Sequence, residues 1–414
     1  MIEWKRNFVV VALSQFLSMM GFAFAMPFAP YYIQQLGITE PNELKMWIAL
    51  FTAAAAMTLA VAAPIWGALG DRYGRRIMLL RANFGGVLVL GLMGLAPNVQ
   101  TLIILRLLQG ALTGTVSAAQ TFVSVQSPPH RSGMVLGTLS AAIFSGSMCG
   151  AFVGGLFAEL FGYRMAFIAS SVLLLLAGLL VLLGTREEFV RPIEEDGDSL
   201  EDRARMFWGK IGPAIPILAL MTAMGFVLQF DLAWLPLLVQ EINGSLKGAA
   251  FWTGSLSAAS GIAGFLAGPI IGRIADRIAP PRIGKVSAFG AGLMMIVVGL
   301  SHGFFQLFAG RFGATFFAGG LDPVLQIWLA KTTPAKSRGF IFGWAVTAKS
   351  LGWMIAPLAS GALAWMFGLR AVFFTAAVFF FLLIPLITLL VRYLPSAPPR
   401  LRHSHFSEEA SRIG

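Results

Sequence analysis

Twelve apolar stretches, separated by short polar or Gly/Pro breaks, restrict this chain to one class of fold. They run 7–32, 46–66, 77–95, 101–123, 133–157, 164–183, 213–238, 250–271, 285–302, 307–330, 339–364 and 370–392. Each is close to the length of about 20 residues that crosses about 30 Å of hydrocarbon. Hydrocarbon offers no partner to a backbone N–H or C=O, so a lone span must satisfy both within its own segment and becomes a helix. The predicted fold is an all-α membrane protein with twelve transmembrane helices. Composition agrees: 57% of residues are hydrophobic and 12% charged, against about 25% charged in a soluble domain. The first stretch lacks a small-residue cleavage site and ends in Pro27 and Pro30, so it reads as a retained span rather than a removed leader.

A charged hairpin, Gly67-Ala-Leu-Gly-Asp71-Arg72-Tyr-Gly74-Arg75-Arg76, joins the second and third spans. Half of it returns 205 residues later as Gly272-Arg-Ile-Ala-Asp276-Arg277. Pro64 and Pro269 stand at the same distance ahead of the two copies. Arg106 matches Arg311 at an offset of 205, while Pro30 matches Pro236, and Gly137, Gly146 and Gly155 match Gly343, Gly352 and Gly361, at 206. The chain thus reads as two parallel six-helix repeats, 1–183 and 213–394, joined by a linker at 184–212 and followed by a tail at 395–414. Six is even, so both repeats share one orientation, the plan of bundles that rock around a midplane site. The linker carries eight acids and five bases and reads as solvated.

A net charge of +11 does not make a nucleic-acid binder here. With the amino terminus placed in the cytoplasm, most Lys and Arg fall on that side, and only Lys45, Arg164, Lys247 and Arg370 fall in the opposite loops. That is the bias that sets membrane orientation. Both termini are then cytoplasmic. The single cysteine, Cys149, excludes an internal disulfide. His130, His302, His403 and His405 lack metal-ligand spacing, no Gly-Lys-Ser/Thr completes a phosphate loop, and no nucleophile, base and orienting group assemble. No enzyme, metal or cofactor is expected.

The hairpin resembles, at every defining position, the cytoplasmic loop signature of the major facilitator superfamily, and Arg106-Leu-Leu-Gln109-Gly110 is similar to that family's fourth-span motif. The resemblance covers nearly the whole chain outside linker and tail. Within the superfamily, Trp4-Lys-Arg-Asn7, Met26-Pro27-Phe28 and the Gly-Thr-Leu-Ser start of the fifth span look like the bacterial MdtG-type multidrug efflux group, whose members are drug:proton antiporters. The resemblance implies a monomer in the inner membrane that works by alternating access. It also implies a gating latch at Gly67, Asp71, Arg72, Gly74, Arg75 and Arg76, with a weaker counterpart at Asp276 and Arg277. Physically, Asp71 can offer a carboxylate to a helix amino terminus. The alternative is that the arginines only enforce topology. Gly137, Gly146, Gly150, Ala151 and Gly154 follow the family's fifth-span antiporter motif, except that Ala151 stands where proline is expected. Helix packing and a seal between the repeats both fit those glycines.

Ionisable residues within spans are the strongest pointers to function, since each costs about 2.5–3.5 kcal/mol at a helix centre on insertion scales. Arg106, Asp231, Arg311, Asp322 and Lys349 are candidates for proton coupling. A carboxyl in an apolar cavity favours its protonated form and a neighbouring cation reverses that preference, so alternating exposure can load and release a proton. Asp322 lies in Gly319-Gly320-Leu-Asp322-Pro323, where the span is expected to unwind. For Asp231, a structural partner in Lys349 or an arginine is the competing role. In the family plan spans 1, 4, 7 and 10 line the cavity, and Phe22, Met26, Gln109, Gln229, Phe230, Trp234, Gln326 and Trp353, on plausible cavity helices, are the substrate-cavity candidates. The resulting expectation is a proton-driven exporter of amphipathic drugs, with small-molecule substrate, protons and the lipid bilayer as its partners. An uptake symporter for a metabolite or siderophore, and a lipid or glycolipid flippase, are the alternatives.

Overall fold

The computed structural model describes residues 2–128, 132–187, 212, 215–278, 280–321, 325, 329 and 338–393. Asp322, Gln326, most of the 184–212 linker and all of the tail lie outside them. Asp71, Asp276 and Arg277 are placed in helices, but their side chains are outside the description.

The described chain is helical. The first span comprises α1 (Ile2–Ala25), a 3-10 turn (Met26–Phe28) and α2 (Ala29–Gln35). Then come α3 (Pro41–Tyr73), α4 (Arg75–Gly94), α5 (Val99–Leu112), α6 (Thr115–Gln126), α7 (Ser132–Phe161) and α8 (Tyr163–Gly184). After the linker follow α9 (Ile215–Gln229), α10 (Leu235–Asn243), α11 (Ala249–Arg277), α12 (Pro280–Gly299), α13 (Phe304–Ala318), α14 (Arg338–Phe367) and α15 (Leu369–Tyr393). Among the described residues, nine helical spans are long and apolar enough to cross a membrane. The seventh, eighth and tenth predicted spans correspond to α9–α10, α11 and α13. Because successive spans reverse direction, the Gly74 turn lies at one end of the bundle, the hairpin end. The turns at 36–40, 95–98, 162, 244–248, 300–303 and 368 lie at the other, the loop end.

Spans 1, 4 and 7, drawn above as continuous, are each broken. Pro27 and Pro30 lack the N–H that continuous helix needs, and the backbone tightens to 3-10 between α1 and α2. The fourth span breaks at Thr113–Gly114, where Gly114 adopts φ +115° and opens α6. The seventh turns through 230–234 before α10. The tenth ends α13 at Ala318 and turns at Gly319-Gly320, in line with the expected unwinding there. Gly114 and Gly319 stand 205 residues apart, the repeat offset.

The fifth span meets two partners with two faces. An added Cβ at Gly146, Gly150 or Gly154 would collide with the backbone of Phe16, Met20 or Phe24 in turn, so α1 and α7 cross in direct backbone contact. On the neighbouring face, Gly155 packs on Ala250 and Gly254 of α11, and Met148 covers Gly261. Packing within the first six spans and closure against later ones therefore fall on adjacent stripes of one helix. Gly137 touches neither, with open space around it.

Candidate functional site

The two repeat-related arginines each reach the break in the first span of their own six. Arg106 Nη1 donates to Met26 Sδ at 2.9 Å and to Gln109 Oε1 at 2.5 Å, Nε donates to Phe51 O at 3.3 Å, and the guanidinium lies 4.7 Å over the Phe51 ring. Among the described residues no carboxylate pairs with it. Arg311 Nη1 donates to Asp231 Oδ2 at 2.5 Å. Asp231 sits in the 230–234 turn and is 1% exposed, and Arg311 is 7% exposed. The same architectural position thus carries a thioether in one half and a carboxylate in the other. A buried pair of opposite charges is tolerated where either charge alone is not.

Asp231 therefore meets the arginine named as one of its competing partners. Phe230 is buried beside it and packs edge-on to Phe379, with ring centroids 5.0 Å apart. Trp234, fully buried, donates Nε1 to Ser360 Oγ at 2.8 Å, tying the turn to α14 next to Pro357. Lys349 Nζ lies 5.4 Å over the Trp353 ring, and its backbone packs on Gly225 of α9. Gln109 is buried against Arg106. Gln229 is half-buried at the end of α9, and Phe22 packs near Gly86 of α4.

At the hairpin end, Gly74 adopts φ +98° and separates α3 from α4. The carboxylate at the amino terminus of α4 comes from Glu187: Oε1 accepts from Arg75 N at 3.1 Å and Oε2 from Arg76 N at 2.7 Å. Arg76 also donates to Thr185 Oγ1 and to Leu182 O. Asn7 and Arg186 bond through Arg186 N and O, and Asn7 donates to Gln126. Arg72 is exposed, over the ring of Tyr73. Glu187 was missed because it reads as linker; its spacing from the hairpin gives no local signal. Arg81 was missed as well. It follows the hairpin arginines closely in sequence, yet it lies within α4 and stacks 3.8 Å over Trp66.

Contacts between early and late spans gather toward the loop end. Tyr31, fully buried, donates its hydroxyl to Pro236 O at 2.6 Å and lies 2.7 Å from Thr253 Oγ1. Gln34 and Gln240, 206 residues apart, exchange amide hydrogen bonds of 2.9 and 3.1 Å. Glu159 Oε1 accepts from Gly248 N at the start of α11. Gly361 of α14 packs on Ala49 of α3.

Comparison with known proteins agrees with this architecture. The family model described as Major Facilitator Superfamily matches residues 11–301 and 248–412. The chain is 33% identical over 379 residues to the multidrug resistance protein MdtG of Salmonella paratyphi A, covering 91% of this chain and 93% of that protein. It is 34% identical over 383 residues to MdtG of Citrobacter koseri, covering 91% and 92%. Among solved structures, a bacterial homologue of the human lysosomal transporter Spinster superimposes with a TM-score of 0.74 at 16% identity, covering 94% of this chain and 97% of that one. The nucleoside transporter NupG does so with a TM-score of 0.74 at 12% identity, covering 93% and 99%. Breaks in spans 1, 4, 7 and 10, two arginines placed by duplication and relatives of nearly full length converge: this chain is a transporter, not an enzyme, and belongs to the Major Facilitator Superfamily.

Proposed function

We propose that this protein exports amphipathic drugs or xenobiotics in exchange for protons, by alternating access, from the inner membrane. The observation that carries the reading is the Asp231–Arg311 pair, the one place among the described residues where a carboxylate is buried against a cation inside a broken span. While they touch, each offsets the cost of burying the other's charge, and the step that parts them is where proton exchange is proposed to occur. The MdtG relatives, named as multidrug resistance proteins, support the substrate class. In this reading both termini are cytoplasmic, the working unit is a monomer in the lipid bilayer, and 1–183 and 213–394 are two bundles joined by 184–212, with 395–414 as a tail. The bonds through Tyr31, Gln34 and Glu159 then close the outward side, and the hairpin braced by Glu187 belongs to the cytoplasmic latch formed by Gly67, Asp71, Arg72, Gly74, Arg75 and Arg76, with Asp276 and Arg277 as its second-half counterpart. Asp322, Arg106 and Lys349 complete the coupling set, and Phe22, Met26, Gln109, Gln229, Phe230, Trp234, Gln326 and Trp353 line the route of the substrate.

Inward charge movement gives the exchange a driving force of about 2.3 kcal/mol per charge per 100 mV. Ala151, in place of the antiporter motif's proline, favours the uptake symporter as a second reading. Proteoliposomes with an internal pH probe separate the two. A lipophilic cation moving against protons supports export, and movement in the same direction supports uptake.

A further inference from the structure

Arg81 is an in-span cation with no part in the coupling set. Its Nη2 donates to Thr113 O at 3.3 Å, its guanidinium stacks on Trp66, and Nε and Nη1 are buried without an acceptor. Trp66 Nε1 in turn donates to Ala111 O at 2.6 Å, and Thr58 Oγ1 donates to Leu107 O at 2.7 Å. The Arg81 and Trp66 donors, from α4 and α3, meet carbonyls at the carboxyl end of α5, and Thr58 meets one a turn earlier. The last carbonyls of a helix have no partner of their own. Where a helix stops inside a membrane, water cannot supply one, and a cation at that end also opposes the negative pole of the helix dipole.

The duplication supplies an internal control. The tenth span breaks at the equivalent Ala318–Gly319, 205 residues on, but the residues equivalent to Trp66 and Arg81 are Ile271 and Val286. Capping by an arginine stacked on tryptophan is therefore particular to the fourth span and not a by-product of the repeated fold. The helix it caps is the one that carries Arg106 and Gln109.

We infer that Arg81, backed by Trp66, is a positioning residue: it caps the membrane-buried end of α5, fixes where the fourth span bends, and so holds Arg106, bonded to Gln109, against Met26. The two unused nitrogens, Nε and Nη1, leave it donors with which to follow the α5 carbonyls as that bend changes. Only the consequence for transport rests on the proposed role of Arg106; the bend itself does not.

Spin labels at Ile104 in α5 and Val125 in α6, which are 58% and 60% exposed, report the bend as a distance when Cys149 is replaced by serine. The parent gives one narrow distribution. Arg81→Gln and Trp66→Phe each shift or broaden it by about 1–2 Å, the scale of helix shifts in allosteric switching, and raise KM for the exported drug several-fold. Arg81→Lys, which restores a donor without the planar stack, falls between. Trp66→Phe removes one donor while keeping an aromatic ring, so it carries the test if Arg81→Gln does not fold. Distributions that superimpose on the parent in the folded variants overturn the inference. A shifted distance together with normal transport by Arg106→Gln upholds the cap and overturns the role assigned to Arg106.

Discussion

Asp231 and Arg311 stabilise each other more than either stabilises the fold alone. Removing one member of a buried pair leaves an uncompensated charge and costs about 3–5 kcal/mol. Asp231→Asn should therefore lower thermal stability in detergent strongly, and adding Arg311→Gln should recover most of the loss; additive losses would show that the two do not act as a pair. Each residue was visible in the sequence, because a charge inside an apolar run is rare and costly. Their pairing was not, since 80 positions separate them and only the turn at 230–234 turns Asp231 toward α13. Arg81 escaped notice because the arginines of the hairpin stand just ahead of it: it falls inside the predicted span 77–95, yet it was counted with them rather than among the in-span charges. Glu187 lies where the composition changes to linker, so nothing local marks it as the carboxylate at the amino terminus of α4.

Helix identity was legible throughout, because apolar length and the positions of charge determine it. The breaks were legible only in part. Gly319 and Gly320 marked the tenth, whereas Pro27 and Pro30 were read only as the end of a retained first span, and Gly114 and the 230–234 turn look like ordinary membrane sequence. Two helix-scale predictions follow from contacts. Gly150→Val inserts atoms where Met20 backbone already lies, and overpacking of this kind costs about 1–3 kcal/mol. Gly137→Ala meets open space and should stay within about 0.5 kcal/mol of the parent. Unfolding of the two variants side by side checks both, and equal losses would refute the stripe of close contact between α1 and α7. Glu187→Ala removes two bonds from the amino terminus of α4 and should cost about 0.5–2 kcal/mol, the range of a lost helix cap. Glu187→Gln, which keeps an acceptor, should cost less.

Across the whole molecule, the described bonds between early and late spans lie toward the loop end, and the proposed alternating access requires them to break once per cycle. Cysteines at Gln34 and Gln240, joined by a short thiol cross-linker in a Cys149→Ser background, should hold that end shut. Transport should stop while substrate binding from the hairpin side persists, and cleaving the linker should restore turnover. Transport that continues at the parent rate in the cross-linked protein would mean that this end does not open. The duplication made the two-part plan readable from spacing alone, whereas the contacts between the parts depend on which stripes of α7, α11, α3 and α14 meet.

Proton coupling through Asp231 is read directly from proton flux in proteoliposomes under a pH gradient, for the parent and Asp231→Asn, with lipophilic cations, organic anions and sugars added in turn. Lipophilic cations should evoke proton movement opposite to their own in the parent, and Asp231→Asn should still bind them but move no protons. Protons travelling with the substrate, or parent-like proton flux in Asp231→Asn, would contradict it.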